Sequence, residues 1–285
     1  MTAFEELVTA NGAALWTATQ GAGPPVVLCH GGPGIYDYLE PVAAMIDDLA
    51  TVYRYDQRGC GRSEDRGPFD IAAFLADLDA LRVHWRHEAW TVVGHSWGAT
   101  LALLYAVRYP ERTERLVYIS GTGIDPAWHN DYRRAREAKL QPAARDRLRR
   151  LEEERTVATG AELDRINAAR ATLFEATEYY DATRFEQLPR YDRFPVNYDL
   201  NAALNAEMNG LEDSGALPAQ MARIAAPTLV LDGEADPRPR WARAQVAELI
   251  PNARHLTIEG AGHDPWVEQP EATARALRRF LGDTA

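Results

Sequence analysis

The feature that most constrains the fold is an alternation of short, β-branched apolar runs with amphipathic helical patterns. Each run is bounded by Gly, Pro or Asp, which is typical of strands buried on both faces of a parallel sheet. Six runs fit this description: residues 26–29, 52–55, 91–93, 116–120, 228–231 and 255–258. Residues 15–19 favour a further strand at the sheet edge. The pattern predicts an α/β fold, with a mostly parallel sheet flanked by helices.

Helical patterns lie between these runs. Apolar residues recur at positions 71, 74, 75, 78 and 81, behind a predicted N-cap at Asp70. Residues 99–108 form an apolar helical run that ends before Pro110. A last helix is predicted from Pro270, a residue suited to the first helical position, to about residue 281.

The alternation stops between residues 124 and 218. This stretch is rich in Ala, Arg and Glu, with helical tracts at 132–154 and 161–176 and an aromatic passage at 179–198. It predicts a helical cap inserted between two core strands. The predicted organisation is therefore a core at residues 1–123, a cap at 124–218 and the rest of the core at 219–285.

Composition excludes several classes of function. The formal charge of −11 over 285 residues disfavours binding to nucleic acid or to an anionic membrane, since both need a basic face. No apolar stretch approaches the ~18 residues of a membrane span, and residues 1–10 lack the pattern of a signal peptide. Cys29 and Cys60 lack metal-ligand spacing, so we expect free thiols and a cytoplasmic protein of unspecified oligomeric state.

Residues 94–98 contain the pattern G-x-S-x-G, with Ser96 at its centre. The pattern follows a predicted strand and opens a predicted helix. Such a turn forces its central residue into a strained conformation and lifts the side chain clear of the sheet. The context indicates that Ser96 is a nucleophile.

A nucleophilic serine needs a neutral imidazole to take its proton and an acid to orient that imidazole. Of the seven histidines, His263 ends a glycine-rich loop just after the last predicted strand, where it can reach the carboxyl edge of the sheet. The loop after residues 228–231 offers three carboxylates. We favour Asp236 over Asp232, which is still at the strand end, and place Glu234 third.

Four segments resemble the proline iminopeptidase branch of the α/β-hydrolase superfamily. They are H-G-G-P-G at 30–34, D-Q-R-G-C-G-R-S at 56–63, G-H-S-W-G-A-T-L-A-L-L-Y-A at 94–106 and G-A-G-H at 260–263. The resemblance covers residues 24–121 and 225–282, and it implies the α/β-hydrolase fold. It also implies that Ser96, Asp236 and His263 form the catalytic triad, and that the backbone amides of Gly32 and Trp97 form the oxyanion hole.

Members of that branch bind the free α-amino group of their substrates through glutamates of the cap. Glu207 and Glu175 are the candidates here, with Glu212 and Glu178 as further carboxylates. The resemblance thus implies an aminopeptidase or amidohydrolase that acts through an acyl-enzyme, without metal or cofactor, on a small molecule or short peptide. A carboxylesterase with the same triad and a non-catalytic small-molecule receptor on the same fold are the alternatives.

Overall fold

A computed structural model describes residues 3–182 and 193–282, which form an eight-stranded sheet in the order β1-β2-β4-β3-β5-β6-β7-β8. The strands are Phe4–Ala10 (β1), Ala13–Gly21 (β2), Pro25–Cys29 (β3), Thr51–Tyr55 (β4), Trp90–His95 (β5), Thr113–Ile119 (β6), Thr228–Gly233 (β7) and Ala253–Ile258 (β8). Strands β3 to β8 are parallel to one another, whereas β1 and β2 pair in antiparallel fashion. The predicted mostly parallel sheet is confirmed.

One end of the sheet differs from the prediction. Residues 15–19 belong to β2, which lies between β1 and β4 and is therefore not an edge strand. The edge is β1, a strand that the sequence pattern did not predict. Phe4 and Leu7 of β1 are each 65 % exposed, and only Val8 and Ala10 are buried. The strand therefore lacks the continuous apolar run that marks a strand buried on both faces.

Helices cover both faces of the sheet. They are Glu40–Ala44 (α1), Ile71–His84 (α2), Trp97–Arg108 (α3), Trp128–Lys139 (α4), Pro142–Arg155 (α5), Gly160–Glu175 (α6), Tyr198–Ser214 (α7), Leu217–Met221 (α8), Arg240–Leu249 (α9), Pro265–Glu268 (α10) and Pro270–Gly282 (α11). Helices α2, α3 and α9 share one apolar cluster with the sheet, and α1 and α11 share the other. Asp70 caps α2 as predicted, because its Oδ1 accepts a 2.7 Å hydrogen bond from the Ala73 amide. None of the described helices is long and apolar enough to cross a membrane.

Helices α4 to α8 follow β6 and precede β7, in the stretch predicted to be the cap. The helical tract predicted at 132–154 is wrong in one respect, since it is divided between α4 and α5. Leu140 and Gln141 adopt extended conformations before Pro142, and a residue before proline disfavours the helical conformation. Helix α8 crosses the predicted boundary at residue 218, and the domain limits stay predictions.

Both cysteines are free thiols, as predicted, and both are buried. Burial raises the pKa of the Cys29 thiol to about 12 and raises that of Cys60 as well. Because a thiolate is the reactive species, we expect no reaction of the folded protein with Ellman's reagent at pH 8 and two equivalents in denaturant. Rapid labelling of the folded protein would contradict the burial of both residues.

Candidate active site

Ser96 occupies the sharp turn between β5 and α3. Its backbone has φ 57° and ψ −123°, a conformation that costs about 1–3 kcal/mol for a residue with a side chain. A Cβ atom on Gly94 would collide with the carbonyl oxygen of Gly98, and one on Gly98 would collide with that of Cys29. The two glycines therefore let β5, α3 and the neighbouring β3 approach closely enough to hold the strained turn.

Asp236 and His263 are in contact at the carboxyl edge of the sheet. Asp236 follows β7 and His263 follows β8, and the two loops are joined by a 2.8 Å hydrogen bond from the Ala235 amide to the Ala261 carbonyl. His263 Nδ1 lies 3.1 Å from Asp236 Oδ2, and both residues are buried. An acid in this position can hold the imidazole in one tautomer and stabilise its protonated form.

The charge of Asp236 is strongly stabilised. Burial by itself raises the pKa of this carboxyl, but the positive charges of Arg238, His263 and Arg243 outweigh burial and hold the pKa well below its usual range. Asp236 is therefore ionised at every pH at which an imidazole acts as a base.

The other two carboxylates of this loop are engaged elsewhere. Asp232 lies 2.6 Å from Arg243 Nε and 2.8 Å from His255 Nε2, so it forms a buried ion-paired group within the fold. Glu234 Oε2 accepts a 3.1 Å hydrogen bond from the Gly260 amide. Of the three candidate acids, the structure brings Asp236 to His263.

His95, the last residue of β5, lies next to both Ser96 and His263. The two imidazole rings lie 4.5 Å apart between centroids, and His95 Nε2 lies 3.0 Å from the His263 carbonyl oxygen. Burial, followed by the charge of His263, lowers the pKa of His95 well below its usual value, so its ring is neutral at pH 7. Among residues 3–182 and 193–282, no hydrogen bond joins Ser96 Oγ to His263. Unliganded enzymes often show such a gap, which closes in the substrate complex.

The loop after β3 packs directly against Ser96. A Cβ atom on Gly31 would lie 2.9 Å from Ser96 Cβ, and Gly32 has φ 123°, in the region that favours glycine. The Trp97 amide belongs to the first turn of α3, where backbone N–H groups have no acceptor within the helix. The roles of the Gly32 and Trp97 amides as an oxyanion hole stay predictions.

A hydrogen-bond chain and two cap residues hold the loop in place. The Gly31 amide donates to the Tyr38 hydroxyl at 2.8 Å, and that hydroxyl lies 2.6 Å from His95 Nδ1. From the cap, Asn201 Nδ2 donates to the Pro33 carbonyl at 2.7 Å and the Asn197 amide donates to the Gly34 carbonyl at 2.9 Å. The cap and the neighbouring core together fix the shape of the glycine loop.

Arg238 and Glu178 join the cap to the Asp236–His263 pair. Arg238 Nη1 lies 2.8 Å from Glu178 Oε2, 3.1 Å from Asp236 Oδ1 and 2.8 Å from His263 Nδ1. Burial raises the pKa of Glu178, but the charges of Arg238 and Arg136 outweigh it and hold that pKa below its usual value. Arg238 was not predicted from the sequence, because its proximity to Asp236 along the chain was the only signal.

The two cap glutamates predicted to bind substrate lie in different surroundings. Glu207 Oε2 accepts a 2.7 Å hydrogen bond from the Ile71 amide and so caps the start of α2. Glu175 is exposed at the end of α6, where its charge acts on Tyr179. Their roles in substrate binding stay predictions.

Two groups of potential metal ligands occur among the described residues, and both contain His263. One group adds His95 and Asp264, and the other adds Glu178 and Asp236. A metal in either group would occupy a nitrogen of His263, the imidazole that the sequence predicts to be the base.

The chain belongs to the α/β hydrolase fold family, whose sequence profile matches residues 24–270. It is a hydrolase, and it resembles the proline iminopeptidases in particular. The proline iminopeptidase of Heyndrickxia coagulans is 27 % identical over 274 residues, which cover 92 % of this chain and 91 % of the relative.

Solved structures share the fold over nearly the whole chain. The crystal structure of VinJ matches with a TM-score of 0.75 and 23 % identity, covering 99 % of each chain. A thermophilic esterase from Thermogutta terrifontis matches with a TM-score of 0.71 and 23 % identity, covering 99 % of this chain and 98 % of the esterase. At this level of identity the two likenesses define the fold and leave the substrate open.

Proposed function

We propose that this protein is a serine hydrolase that cleaves small amides or esters through an acyl-enzyme on Ser96. The observation that carries the proposal is the 3.1 Å contact between Asp236 Oδ2 and His263 Nδ1, beside a serine on a strained strand-to-helix turn. In the proposed triad, Ser96 is the nucleophile, His263 the base and Asp236 the orienting acid. The amides of Gly32 and Trp97 form the oxyanion hole.

In the first half of the reaction, His263 Nε2 takes the proton of Ser96 as Oγ attacks the substrate carbonyl. The carbonyl oxygen becomes an oxyanion that accepts hydrogen bonds from the Gly32 and Trp97 amides. Collapse of the tetrahedral intermediate breaks the bond to the leaving group, which takes the proton from His263. Asp236 stabilises the imidazolium in between and stays ionised, in keeping with its lowered pKa.

In the second half, a water molecule attacks the acyl-enzyme after giving a proton to His263. The same two amides stabilise the second oxyanion. His263 then returns the proton to Ser96 Oγ, which releases the acid product and restores the enzyme. Each proton in this cycle moves through His263, and the reaction needs no metal or organic cofactor.

The cap decides between aminopeptidase activity and other amide or ester hydrolysis. A free α-ammonium needs an available carboxylate, because an unpaired charge in a partly desolvated site is costly. Glu178 is already bound by Arg238 and by the Tyr132 hydroxyl, and Glu207 is bound by the Ile71 amide. These contacts favour a substrate whose recognition does not depend on a free amine. Aminopeptidase activity is the second candidate, supported by the resemblance to proline iminopeptidases.

Paired substrates test this choice. We expect alanine 4-nitroanilide and its N-acetyl derivative to be cleaved with kcat/KM values within about threefold, because Glu178 and Glu207 are already engaged in other contacts. 4-Nitrophenyl butyrate tests ester hydrolysis in the same assay. A preference of more than about tenfold for the free amine would establish the aminopeptidase instead. If a serine-directed phosphonate fails to label Ser96 and no substrate turns over, the receptor alternative takes the place of the hydrolase.

A further inference from the structure

A cavity of about 610 Å³ lies between the glycine loop and the cap. Gly32, Pro33 and Ile35 form its wall on the side of the core. Because Gly32 also carries one of the proposed oxyanion amides, a substrate bound at Ser96 can extend into this cavity. The volume is in the range of small-molecule sites.

The cap side of the cavity is lined by positive charge. Arg136 of α4, Arg155 of α5 and Arg170 of α6 converge there from three separate helices. The described lining residues include no aspartate or glutamate. Further polar residues of the lining are Asn167, Tyr198, Asn201 and Asn205.

The arginines have too few carboxylate partners among the described residues. Arg136 Nε lies 3.1 Å from Glu178, which also pairs with Arg238, and Arg170 lies 2.6 Å from Glu152. Arg155 reaches the same Glu152 only at 4.0 Å. Two carboxylates, Glu152 and Glu178, therefore serve the three lining guanidinium groups.

Arg155 is the most available of the three. Its side chain is 48 % exposed, against 26 % for Arg170 and 20 % for Arg136. A guanidinium group presents a planar set of donors that matches the two oxygens of a carboxylate. An anion bound here would restore the balance of charge in the cavity wall.

We propose that this cavity binds the carboxylate of a small acyl substrate, with Arg155 and Arg170 as the residues that recognise it. The inference rests on the proposed function, since it places the scissile carbonyl at Ser96 and the anionic end of the same molecule among the arginines. An ammonium in this position would be disfavoured, because the three guanidinium groups outnumber the two carboxylates that pair with them. The substrate is therefore an amide or ester that carries a carboxylate.

Matched esters test the inference. 4-Nitrophenyl hydrogen glutarate carries a free carboxylate, and its methyl ester removes only that charge. We expect the charged substrate to have a kcat/KM higher by about tenfold or more, as is typical of one charge-assisted contact. The preference should shrink as ionic strength rises, because the cavity is open to solvent.

Substitutions assign the preference to the arginines. Arg155→Gln and Arg170→Gln should each raise KM for the charged ester by about tenfold and leave kcat, and both constants for the methyl ester, nearly unchanged. Arg155→Lys should recover part of the loss, because it keeps the charge without the planar fork. Arg149→Gln is the matched control, since Arg149 lies on the same helix, is 75 % exposed and does not line the cavity.

Inhibition of the unchanged enzyme gives a measurement that does not depend on the folding of variants. Glutarate should compete with hydrolysis of the methyl ester, whereas pentane-1,5-diamine, of similar length and opposite charge, should not. Equal turnover of the two esters, or stronger inhibition by the diamine, would overturn the inference while leaving the serine hydrolase intact. Failure of both esters to turn over, with no phosphonate labelling of Ser96, would instead count against the proposed function.

Discussion

Replacing Ser96 with alanine should lower kcat by roughly 10⁶-fold, the loss expected when a triad loses its nucleophile. A residual rate of roughly 10³-fold over water should remain, because the proposed oxyanion hole is intact. Little packing changes, since alanine keeps the Cβ atom and the backbone of the turn. We expect an unchanged melting temperature and no labelling by a fluorophosphonate, measured by intact-protein mass spectrometry.

Ser120 provides the matched control for this substitution. It directly follows β6, is fully buried and has φ 45°, so its φ is positive like that of Ser96. Its Oγ has no hydrogen-bond partner within the described residues. Ser120→Ala should therefore keep kcat within about tenfold of the unchanged enzyme. Full activity in a clean Ser96→Ala preparation would refute the proposed mechanism.

Asp236→Asn should lower kcat by about 10⁴-fold, because an amide permits the wrong tautomer of His263. It should also destabilise the fold above about pH 4, since the negative charge pairs with Arg238. The pKa of Asp236 lies below its unfolded value, so the ionised carboxylate contributes stability that is lost as pH falls below about 4. The difference in unfolding free energy between the two proteins should shrink in that range. Steady-state kinetics and urea denaturation at several pH values measure both effects.

The Asp232→Asn variant tests whether Asp232 is a structural carboxylate or the acid that orients His263. Asp232 is fully buried and pairs with Arg243 and His255. Its loss should cost about 3–5 kcal/mol of stability, because it leaves the buried Arg243 without its partner. The kcat of the folded fraction should change little. If Asp232→Asn were the more damaging to kcat and Asp236→Asn the milder, Asp232 would replace Asp236 as the orienting acid.

Local signals in the sequence predicted the features that depend on neighbouring residues. The turn at Ser96 was predictable because Gly94 and Gly98 are required by contacts that the strand-turn-helix geometry itself imposes. Five of the six parallel strands were predictable because a strand buried on both faces must be largely apolar. The sixth, β8, lies at the other edge of the sheet, and its Leu256 is 42 % exposed. The N-cap that Asp70 provides for α2 is likewise a local feature, since its side chain accepts a hydrogen bond from an amide three residues away.

Features that depend on one buried face or on a single residue were harder to predict. Strand β1 was not predicted, because polar residues separate its apolar ones, and two of these, Phe4 and Leu7, are exposed. The break between α4 and α5 depends on Pro142 alone, within a composition that otherwise favours one long helix. A periodicity averaged over many residues does not register a single proline.

The sequence by itself determined the fold class and the chain order of Ser96, Asp236 and His263. Only the tertiary structure decided which charges meet. Arg238 contacts Glu178 across 60 positions of chain, and Arg136, Arg155 and Arg170 reach one cavity from three helices. Such contacts depend on how the cap helices pack on the core. Packing of this kind depends on the whole chain, so the spacing of neighbouring residues in the sequence does not predict it.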